Sequence, residues 1–288
     1  MIVSASYRTD IPAHYGRWFL ERLRAGHCRV ASPYGGKPSR VSLEPADVDG
    51  FVFWTRNPGP FMPALRELRS RGIPFVVQFT ITGYPRALEA AVQRPARAVA
   101  QLRAIARRFG PRVAVWRYDP ILFTSLTPPQ WHARNFAALA RALAGAADEA
   151  VVSLADDYRK TRRNLAAAAR AHGFAPLPPP DDLGAFAREL RSVAAAHGMR
   201  LTACTEPALE IEPARCIDVG RLSDIAGREI AARVRGNRPG CLCHESRDIG
   251  AYDTCAQGCA YCYAVADRAA AKRNLAAHDP RSEFLMAR

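Results

Sequence analysis

Residues 50–80, GFVFWTRNPGPFMPALRELRSRGIPFVVQFT, decide the fold of this chain. Gly50–Trp54 and Pro74–Thr80 are β-branched or aromatic runs of strand length, and Met62–Arg71 between them is rich in helix-forming residues. A strand, a helix and a second strand in this order form the unit from which parallel sheets are built. The stretch therefore predicts an α/β protein with a parallel sheet.

The same alternation continues through residue 204. The predicted strands are Ile2–Ser6, Gly50–Trp54, Pro74–Thr80, Arg112–Arg117, Glu149–Leu154 and Arg200–Cys204. The predicted helices are Trp18–Ala25, Met62–Arg71, Arg86–Phe109, Pro129–Ala144, Tyr158–His172 and Leu183–His197. Repeated strands and helices of this kind are typical of a parallel sheet or a (β/α) barrel.

The composition indicates a soluble globular protein. Of 288 residues, 49% are hydrophobic and 24% are charged, and no apolar stretch reaches the roughly 18 residues of a membrane span. The first residues lack the pattern of a signal peptide, so we expect a cytoplasmic protein with no membrane partner. The formal net charge of +14 would attract nucleic acid. However, arginines spread along helices, such as Arg97, Arg103 and Arg107, are typical of a solvated face.

Four predicted strands run directly into polar clusters. These clusters are Ser6–Asp10, Trp54–Asn57, Gln78–Thr80 and Trp116–Asp119. In parallel α/β folds, ligands bind at the carboxyl ends of the strands. The sequence therefore predicts a shared polar pocket at that edge of the sheet.

The cysteines divide the chain into two parts. Seven of the eight lie after residue 200, and clustered cysteines in a reducing compartment are more often metal ligands or catalytic thiols than disulfides. Cys28 stands alone and is expected to be a small buried apolar residue. We predict that residues 1–203 form a (β/α) barrel body. Residues 204–288 form a cysteine-rich part that carries a cluster loop and completes the same barrel.

Cys255, Cys259 and Cys262 have the spacing C-x3-C-x2-C. Three thiolates so close in sequence can hold a cubane iron–sulfur cluster and leave its fourth iron without a protein ligand. A zinc knuckle on Cys259 and Cys262 is the alternative, although zinc sites prefer paired C-x2-C units. With Tyr261 before the last cysteine, the spacing resembles that of the radical S-adenosylmethionine (radical SAM) superfamily. There the open iron binds S-adenosylmethionine, and one electron cleaves it to a 5′-deoxyadenosyl radical.

Beyond this loop, the chain resembles a bacterial family catalogued as domain of unknown function 1848 nearly from end to end. The motifs that carry the resemblance are Tyr7-Arg-Thr-Asp10-Ile-Pro, Phe53-Trp-Thr-Arg-Asn-Pro58, Gln78-Phe-Thr-Ile-Thr-Gly-Tyr84, Trp116-Arg-Tyr-Asp-Pro120, Cys216-Ile-Asp218 and the segment from Cys241 to Cys262. The resemblance implies a [4Fe–4S] cluster and S-adenosylmethionine as cofactors, a small-molecule substrate, and a reductant such as a flavodoxin or ferredoxin. It carries no established reaction.

The position of the cysteine loop departs from the superfamily pattern, in which the loop follows the first barrel strand. We therefore expect a circularly permuted, partial (β/α) TIM-like radical SAM barrel with a C-terminal Fe–S cluster loop. Asp248–Ala277 would supply the first strand, the loop and a helix over Val265–Ala277, with Ile2–Ser6 beside it as the next strand. Ser6, Arg8, Asp10 and Tyr261 would then contact the cluster or S-adenosylmethionine. A separate C-terminal Fe–S module is the competing arrangement.

Four further cysteines remain in this part of the chain. They are Cys204, Cys216, Cys241 and Cys243. Four thiolates would fully ligate a second [4Fe–4S] cluster, which similarity to radical SAM enzymes with auxiliary clusters favours. A structural zinc site with four cysteine ligands suits the same residues.

These features predict a radical SAM enzyme that acts on a small polar or anionic substrate. Arg56, Gln78 and Arg117 would orient the substrate, because arginine binds carboxylate or phosphate in a bidentate manner. Asp119 and Glu206 are candidate acids or bases. Two alternatives remain open: sulfur insertion with the second cluster as donor, and a non-catalytic Fe–S or zinc protein that binds nucleic acid.

Overall fold

The computed structural model describes residues 1–32 and 35–286 of the chain. In these residues the strands are β1 (Ile2–Ala5), β2 (His27–Val30), β3 (Ser39–Ser42), β4 (Gly50–Thr55), β5 (Phe75–Thr80), β6 (Ala114–Ile121), β7 (Glu149–Leu154), β8 (Arg200–Ala203) and β9 (Arg247–Asp248). Seven of them form one parallel sheet in the order β9-β1-β4-β5-β6-β7-β8, and β2 and β3 form a separate antiparallel hairpin. The protein is thus α/β with a parallel sheet.

Helices connect the strands. They are α1 (Ile11–His14), α2 (Gly16–Arg24), α3 (Met62–Ser70), α4 (Pro95–Phe109), α5 (Pro129–Leu143), α6 (Arg159–His172), α7 (Leu183–Ala196), α8 (Val219–Ala226) and α9 (Arg268–Ala276). Of the helices in residues 1–32 and 35–286, none has the length and apolar character that crossing a membrane requires.

The two faces of the sheet bury different parts of the chain. Side chains alternate along a strand, so Phe53 and Val77 face one way and pack in the main core, to which α2–α5 and α7 contribute. Val52 and Val76 face the other way and pack with Leu222 of α8 and its flanking loops. Because both faces are covered, the strands carry nearly continuous apolar residues.

The second face becomes polar toward the carboxyl ends of the strands. Along each strand, the residue two positions after an apolar residue of this face points to the same side of the sheet. These residues are Ser4, Trp54, Gln78, Arg117 and Ser153. The alternation therefore brings polar residues from five neighbouring strands to one edge of the sheet, above an apolar layer.

One predicted helix, Arg86–Phe109, is wrong over its first part. Helix α4 begins at Pro95, which suits the first helical turn because proline has no N–H to donate and a fixed φ. Residues 86–94 instead form a loop that pairs with the cysteine loop. The Ala91 amide donates to the Gln257 carbonyl (3.0 Å), and the Ala260 amide donates to the Leu88 carbonyl (2.8 Å).

The C-terminal strand β9 lies parallel to β1 at one edge of the sheet, with Ser4 opposite Asp248. Strand β8 forms the other edge, and no hydrogen-bonded pairing joins β8 to β9 in the part of the chain that the structure describes. The sheet is open in its hydrogen bonding, so the partial (β/α) barrel stays a prediction, as does the circular permutation.

Candidate functional site

Asp248, the last residue of β9, fixes the start of the cysteine loop against β1. Its carboxylate accepts hydrogen bonds from Ser6 Oγ (2.8 Å) and Arg8 Nε (2.8 Å). Three further donors complete the set, namely Ser4 Oγ and the backbone amides of Tyr7 and Gly250. The ion pair is deeply buried, with side-chain exposures of 9% for Arg8 and 3% for Asp248. Ser6 and Arg8, predicted beside the cofactor, thus use these polar atoms to hold the loop.

The chain after Asp248 passes so close to β1 that only glycine fits there. A Cβ atom on Gly250 would lie 2.0 Å from Ser6 Oγ and 2.5 Å from Ser6 Cβ. Because Ser6 is bound to Asp248, it has little freedom to move away. The close approach fixes the direction in which the cysteine loop leaves the sheet.

Asp10 contacts the cysteine loop itself. One oxygen of its carboxylate caps α1 by accepting from the Ala13 amide (3.0 Å). The other accepts from the Arg56 amide (2.9 Å) and from Gln257 Nε2 (3.0 Å). Since Gln257 lies between Cys255 and Cys259, this carboxylate links β1, β4 and the cysteine loop.

The thiols of Cys255, Cys259 and Cys262 are partly buried and close enough to influence one another electrostatically. Burial raises the pKa of Cys255, and the negative charges of Asp10 and the other two thiolates raise it further. Burial also raises the pKa of Cys259 to about 12, although the Arg56 guanidinium acts in the opposite direction. The three thiols therefore share a region with the carboxylates of Asp10, Glu89 and Asp253 and the guanidinium groups of Arg56 and Arg268.

Arg56 belongs to a buried polar cluster beside the loop. Its guanidinium donates to Glu89 Oε1 (2.6 Å) and to the Tyr261 hydroxyl (2.5 Å), and both Thr82 and Tyr261 donate to the same Glu89 oxygen. Burial acts to lower the pKa of Arg56, but Glu89 and the nearby Tyr261 and Cys259 raise it well above its ordinary value. Arg56 thus stays charged and tied to Tyr261, which lies between two of the loop cysteines.

Glu89 is a site residue that the sequence analysis missed. It lies in the segment predicted as the start of a helix, where a glutamate is ordinarily solvated. In the structure it is 3% exposed and forms a β-bridge with Cys259. Pro95 could have shown that the helix begins after Glu89, because a proline marks the first turn of a helix more often than its interior.

Replacing Glu89 by glutamine is expected to lower the free energy of unfolding by about 1.5–3 kcal/mol, because hydrogen bonds to a charged partner are stronger than neutral ones. Urea denaturation measures the change. Glu67→Gln is the matched control, since Glu67 pairs with Arg71 on the surface and should lose about 1 kcal/mol or less. Equal losses in the two variants would mean that the Arg56–Glu89 pair does not stabilise the loop.

The other four C-terminal cysteines also come together, and we refer to them as the four-thiol site. Cys204 Sγ lies 3.9 Å from Cys216 Sγ. The thiol of Cys243 is close enough to those of Cys216 and Cys241 to change the pKa of each. The hydrogen bond from Cys243 lowers the pKa of Cys241 to about 6. The contacts therefore form a chain in the order 204, 216, 243 and 241.

Two predicted substrate-orienting residues contact this four-thiol site. Arg117 Nη1 donates to Cys216 Sγ (3.0 Å) and to Gln78 Oε1 (3.3 Å), while Gln78 Nε2 donates to the Cys216 carbonyl (2.9 Å). The Arg117 guanidinium also pairs with Asp119 and lies 5.0 Å from the centre of the Trp54 ring. Arg117 is only 4% exposed, so its guanidinium is buried and makes these contacts inside the protein.

Asp119 lies beside the four-thiol site. Its carboxylate accepts hydrogen bonds from Arg117 and from the Ser153 hydroxyl. Its charge acts on Arg56, beside the cysteine loop, and also on Cys204 of the four-thiol site. The charge of Asp119 therefore reaches a residue in or beside each set of cysteines.

Glu206, the other predicted acid or base, follows β8 and accepts a hydrogen bond from the Leu154 amide (3.2 Å). Burial raises its pKa, the Leu154 amide partly offsets this, and the carboxylates of Asp156 and Asp119 raise it further. Glu206 can thus keep its proton at a higher pH than an ordinary glutamate.

Cys28 takes no part in either set. It is fully buried in β2 within the main core, and burial raises the pKa of its thiol to about 12. The prediction that it is a small apolar residue is confirmed.

Two surface cavities are formed by other side chains of the protein. One, of about 530 Å³, lies between α6 and the start of α9 and is lined by Arg163, His172 and Arg268 among others. The other, of about 520 Å³, is lined mainly by charged residues such as Arg112, Asp148 and Arg221. Neither is lined by a cysteine. Within residues 1–32 and 35–286, no three His, Cys, Asp or Glu side chains are arranged to hold a single metal ion as they stand.

The chain is an α/β protein with an open parallel sheet. The residues that follow β8 carry both sets of cysteines and complete the candidate site. The chain belongs to the family described as domain of unknown function (DUF1848), whose model matches residues 2–264. The match covers the seven C-terminal cysteines and every predicted site residue, and it confirms the resemblance to this family. No curated protein matches the chain.

Proposed function

We propose that this protein is a radical SAM enzyme in which Cys255, Cys259 and Cys262 hold a [4Fe–4S] cluster. The observation that carries the proposal is the grouping of three thiols from one short loop at the carboxyl edge of a parallel sheet, where α/β proteins bind their ligands. When bound, such a cluster would supply the electron that cleaves S-adenosylmethionine to methionine and a 5′-deoxyadenosyl radical.

The surroundings of the three thiols suit an anionic cluster. Backbone amides hydrogen-bond to two of the sulfurs, from Gln257 to Cys255 and from Ala264 and Val265 to Cys262. Hydrogen bonds to cysteine sulfurs tune the potential of iron–sulfur clusters. Arg56 adds a positive charge near Cys259. In a cubane each thiolate binds a different iron, so the three sulfurs need not converge on one metal ion.

Ser6, Arg8, Asp10 and Tyr261 are predicted to contact the cofactor. We propose that they act mainly by holding the cysteine loop in place. Ser6 and Arg8 bind Asp248, and Asp10 binds Gln257, so these residues hold the two ends of the segment that leads to the cysteines. A loop fixed in this way keeps its thiols in one arrangement before the cofactor binds, which lowers the cost of binding.

We propose a small polar or anionic substrate that binds near Asp119. Support comes from the polar layer that Gln78, Arg117 and Ser153 form on this face of the sheet. Arg56 and Arg117 already pair with Glu89 and Asp119, so a substrate anion would compete with these carboxylates. Glu206, with its raised pKa, is suited to hold a proton there.

The proposal includes the finer description of the fold, a partial barrel whose first strand is supplied by the C-terminal segment. Support comes from the parallel pairing of β9 with β1 and from the cysteine loop that follows β9 directly. In this arrangement the loop follows the first strand in space, as it does in the superfamily that the sequence resembles.

The test is reductive cleavage of S-adenosylmethionine by the full chain, purified and reconstituted with iron and sulfide without oxygen. With dithionite, or with reduced flavodoxin, we expect 5′-deoxyadenosine and methionine in equal amounts, measured by liquid chromatography and mass spectrometry. Reactions without protein or reductant are the controls. A reconstituted cluster that yields no 5′-deoxyadenosine would contradict the proposal and favour a non-catalytic binding protein.

A further inference from the structure

We propose that Cys204, Cys216, Cys241 and Cys243 together bind a second metal centre, distinct from that of the cysteine loop. The ligand chemistry is four thiolates, which suits a zinc ion or an iron–sulfur cluster. This inference rests on the four-thiol site alone and does not depend on the proposed reaction.

The first argument is the convergence of thiols from separate segments. Cys204 follows β8, Cys216 precedes α8, and Cys241 and Cys243 lie in the long connection from α8 to β9. The separation of 3.9 Å between the sulfurs of Cys204 and Cys216 is close to the value of about 3.8 Å expected for two thiolates on one tetrahedral ion with metal–sulfur bonds of about 2.3 Å. Among the described residues no three of these side chains converge on one ion as they stand, so the thiols of Cys241 and Cys243 would have to move toward this pair to bind a single ion.

The second argument is the positive and donor environment around these sulfurs. Arg117 donates to Cys216 Sγ at 3.0 Å, and Arg238 approaches Cys204 Sγ at 3.7 Å. The Ile217 amide donates to Cys243 Sγ at 3.5 Å. Four thiolates around a divalent ion carry two net negative charges, and the two guanidinium groups, which also pair with Asp119 and Asp156, would lie beside them. Partners of this kind orient metal ligands and tune the centre.

The third argument concerns what holds the connection between α8 and β9 in place. Residues 227–246 contain neither helix nor strand, yet Cys243 is 5% exposed and packs against the sheet with Ile230 and Cys216. The ion pairs that Arg233 and Arg235 form with Glu245 are exposed and contribute about 1 kcal/mol or less each. A metal centre would add to the backbone hydrogen bonds that join Arg235 to Cys243 and Glu245 to Arg233, because metal-binding energy is also folding energy.

The test uses a full-length variant in which Cys255, Cys259 and Cys262 are all replaced by alanine. Any metal it retains must come from elsewhere in the chain. We expect this variant, purified without oxygen, to keep one centre per chain: one zinc, or an iron–sulfur cluster with equal iron and sulfide by elemental and sulfide analysis. Adding Cys241→Ser should remove this metal completely, whereas adding the matched Cys28→Ser should leave it unchanged.

A second measurement keeps the test valid if the Cys241 variant fails to fold. The triple variant is alkylated in its native form before and after its metal is removed with a chelator, and the modified cysteines are mapped by mass spectrometry. Protection of the four thiols, lost when metal is released, supports the proposal. A triple variant without zinc or iron would overturn it, as would a Cys204–Cys216 disulfide or a metal that survives in the soluble Cys241 variant.

Discussion

Replacing Cys255 by alanine is expected to reduce the formation of 5′-deoxyadenosine from S-adenosylmethionine to the level of a reaction without protein. Two thiolates cannot hold a cubane with one open iron, and the bound iron should fall by about four atoms per chain. The measurement combines product analysis by mass spectrometry with iron and sulfide counts on the same sample. Cys259→Ala and Cys262→Ala should behave alike.

Cys28→Ala is the matched control for this prediction, because Cys28 is buried and lies in β2, outside both cysteine sets. It should keep the iron content and product yield of the unchanged protein. Cys241→Ala should lose the second metal while keeping some cleavage, provided that the variant is soluble. If the Cys255 variant still formed 5′-deoxyadenosine at the rate of the unchanged protein, the assignment of the cysteine loop would be wrong.

The strands of the sheet could be predicted because their signal is local. Glu149–Leu154 was predicted with the observed bounds, and Gly50–Trp54 ends one residue short of β4. Buried parallel strands are nearly continuous runs of β-branched and aromatic residues, and such runs are visible in one sequence. The hairpin of β2 and β3 was missed because its polar residues do not form an apolar run of that kind.

The grouping of Cys255, Cys259 and Cys262 follows from their spacing in the sequence, but the residues around them could not be predicted. Glu89 reaches the loop only because residues 86–94 leave the helical path and pair with residues 257–260. The contact of Arg117 with Cys216 depends on how residues 204–243 fold back over the sheet. Both contacts join residues far apart in sequence, and no local preference encodes them.

Asp248→Asn is expected to lower the free energy of unfolding by about 3–5 kcal/mol, the usual cost of removing one partner from a buried ion pair. Asparagine keeps the volume of aspartate, so no cavity forms. However, both carboxylate oxygens accept hydrogen bonds: Oδ1 from Ser6, Arg8 and Gly250, and Oδ2 from Ser4 and Tyr7. In either orientation the new amide group must face donors, and Arg8 keeps a buried charge without its counterion.

Urea denaturation of Asp248→Asn and of the control Asp157→Asn measures this effect. Asp157 pairs with Arg162 on the surface, with side-chain exposures of 72% and 62%, so its variant should lose about 1 kcal/mol or less. A loss that small in Asp248→Asn would show that β9 is held by other contacts. Because Asp248 anchors the loop to β1, its variant should also alkylate faster at Cys255 under native conditions, whereas Asp157→Asn should not. The two measurements together separate a local release of the cysteine loop from a general loss of stability.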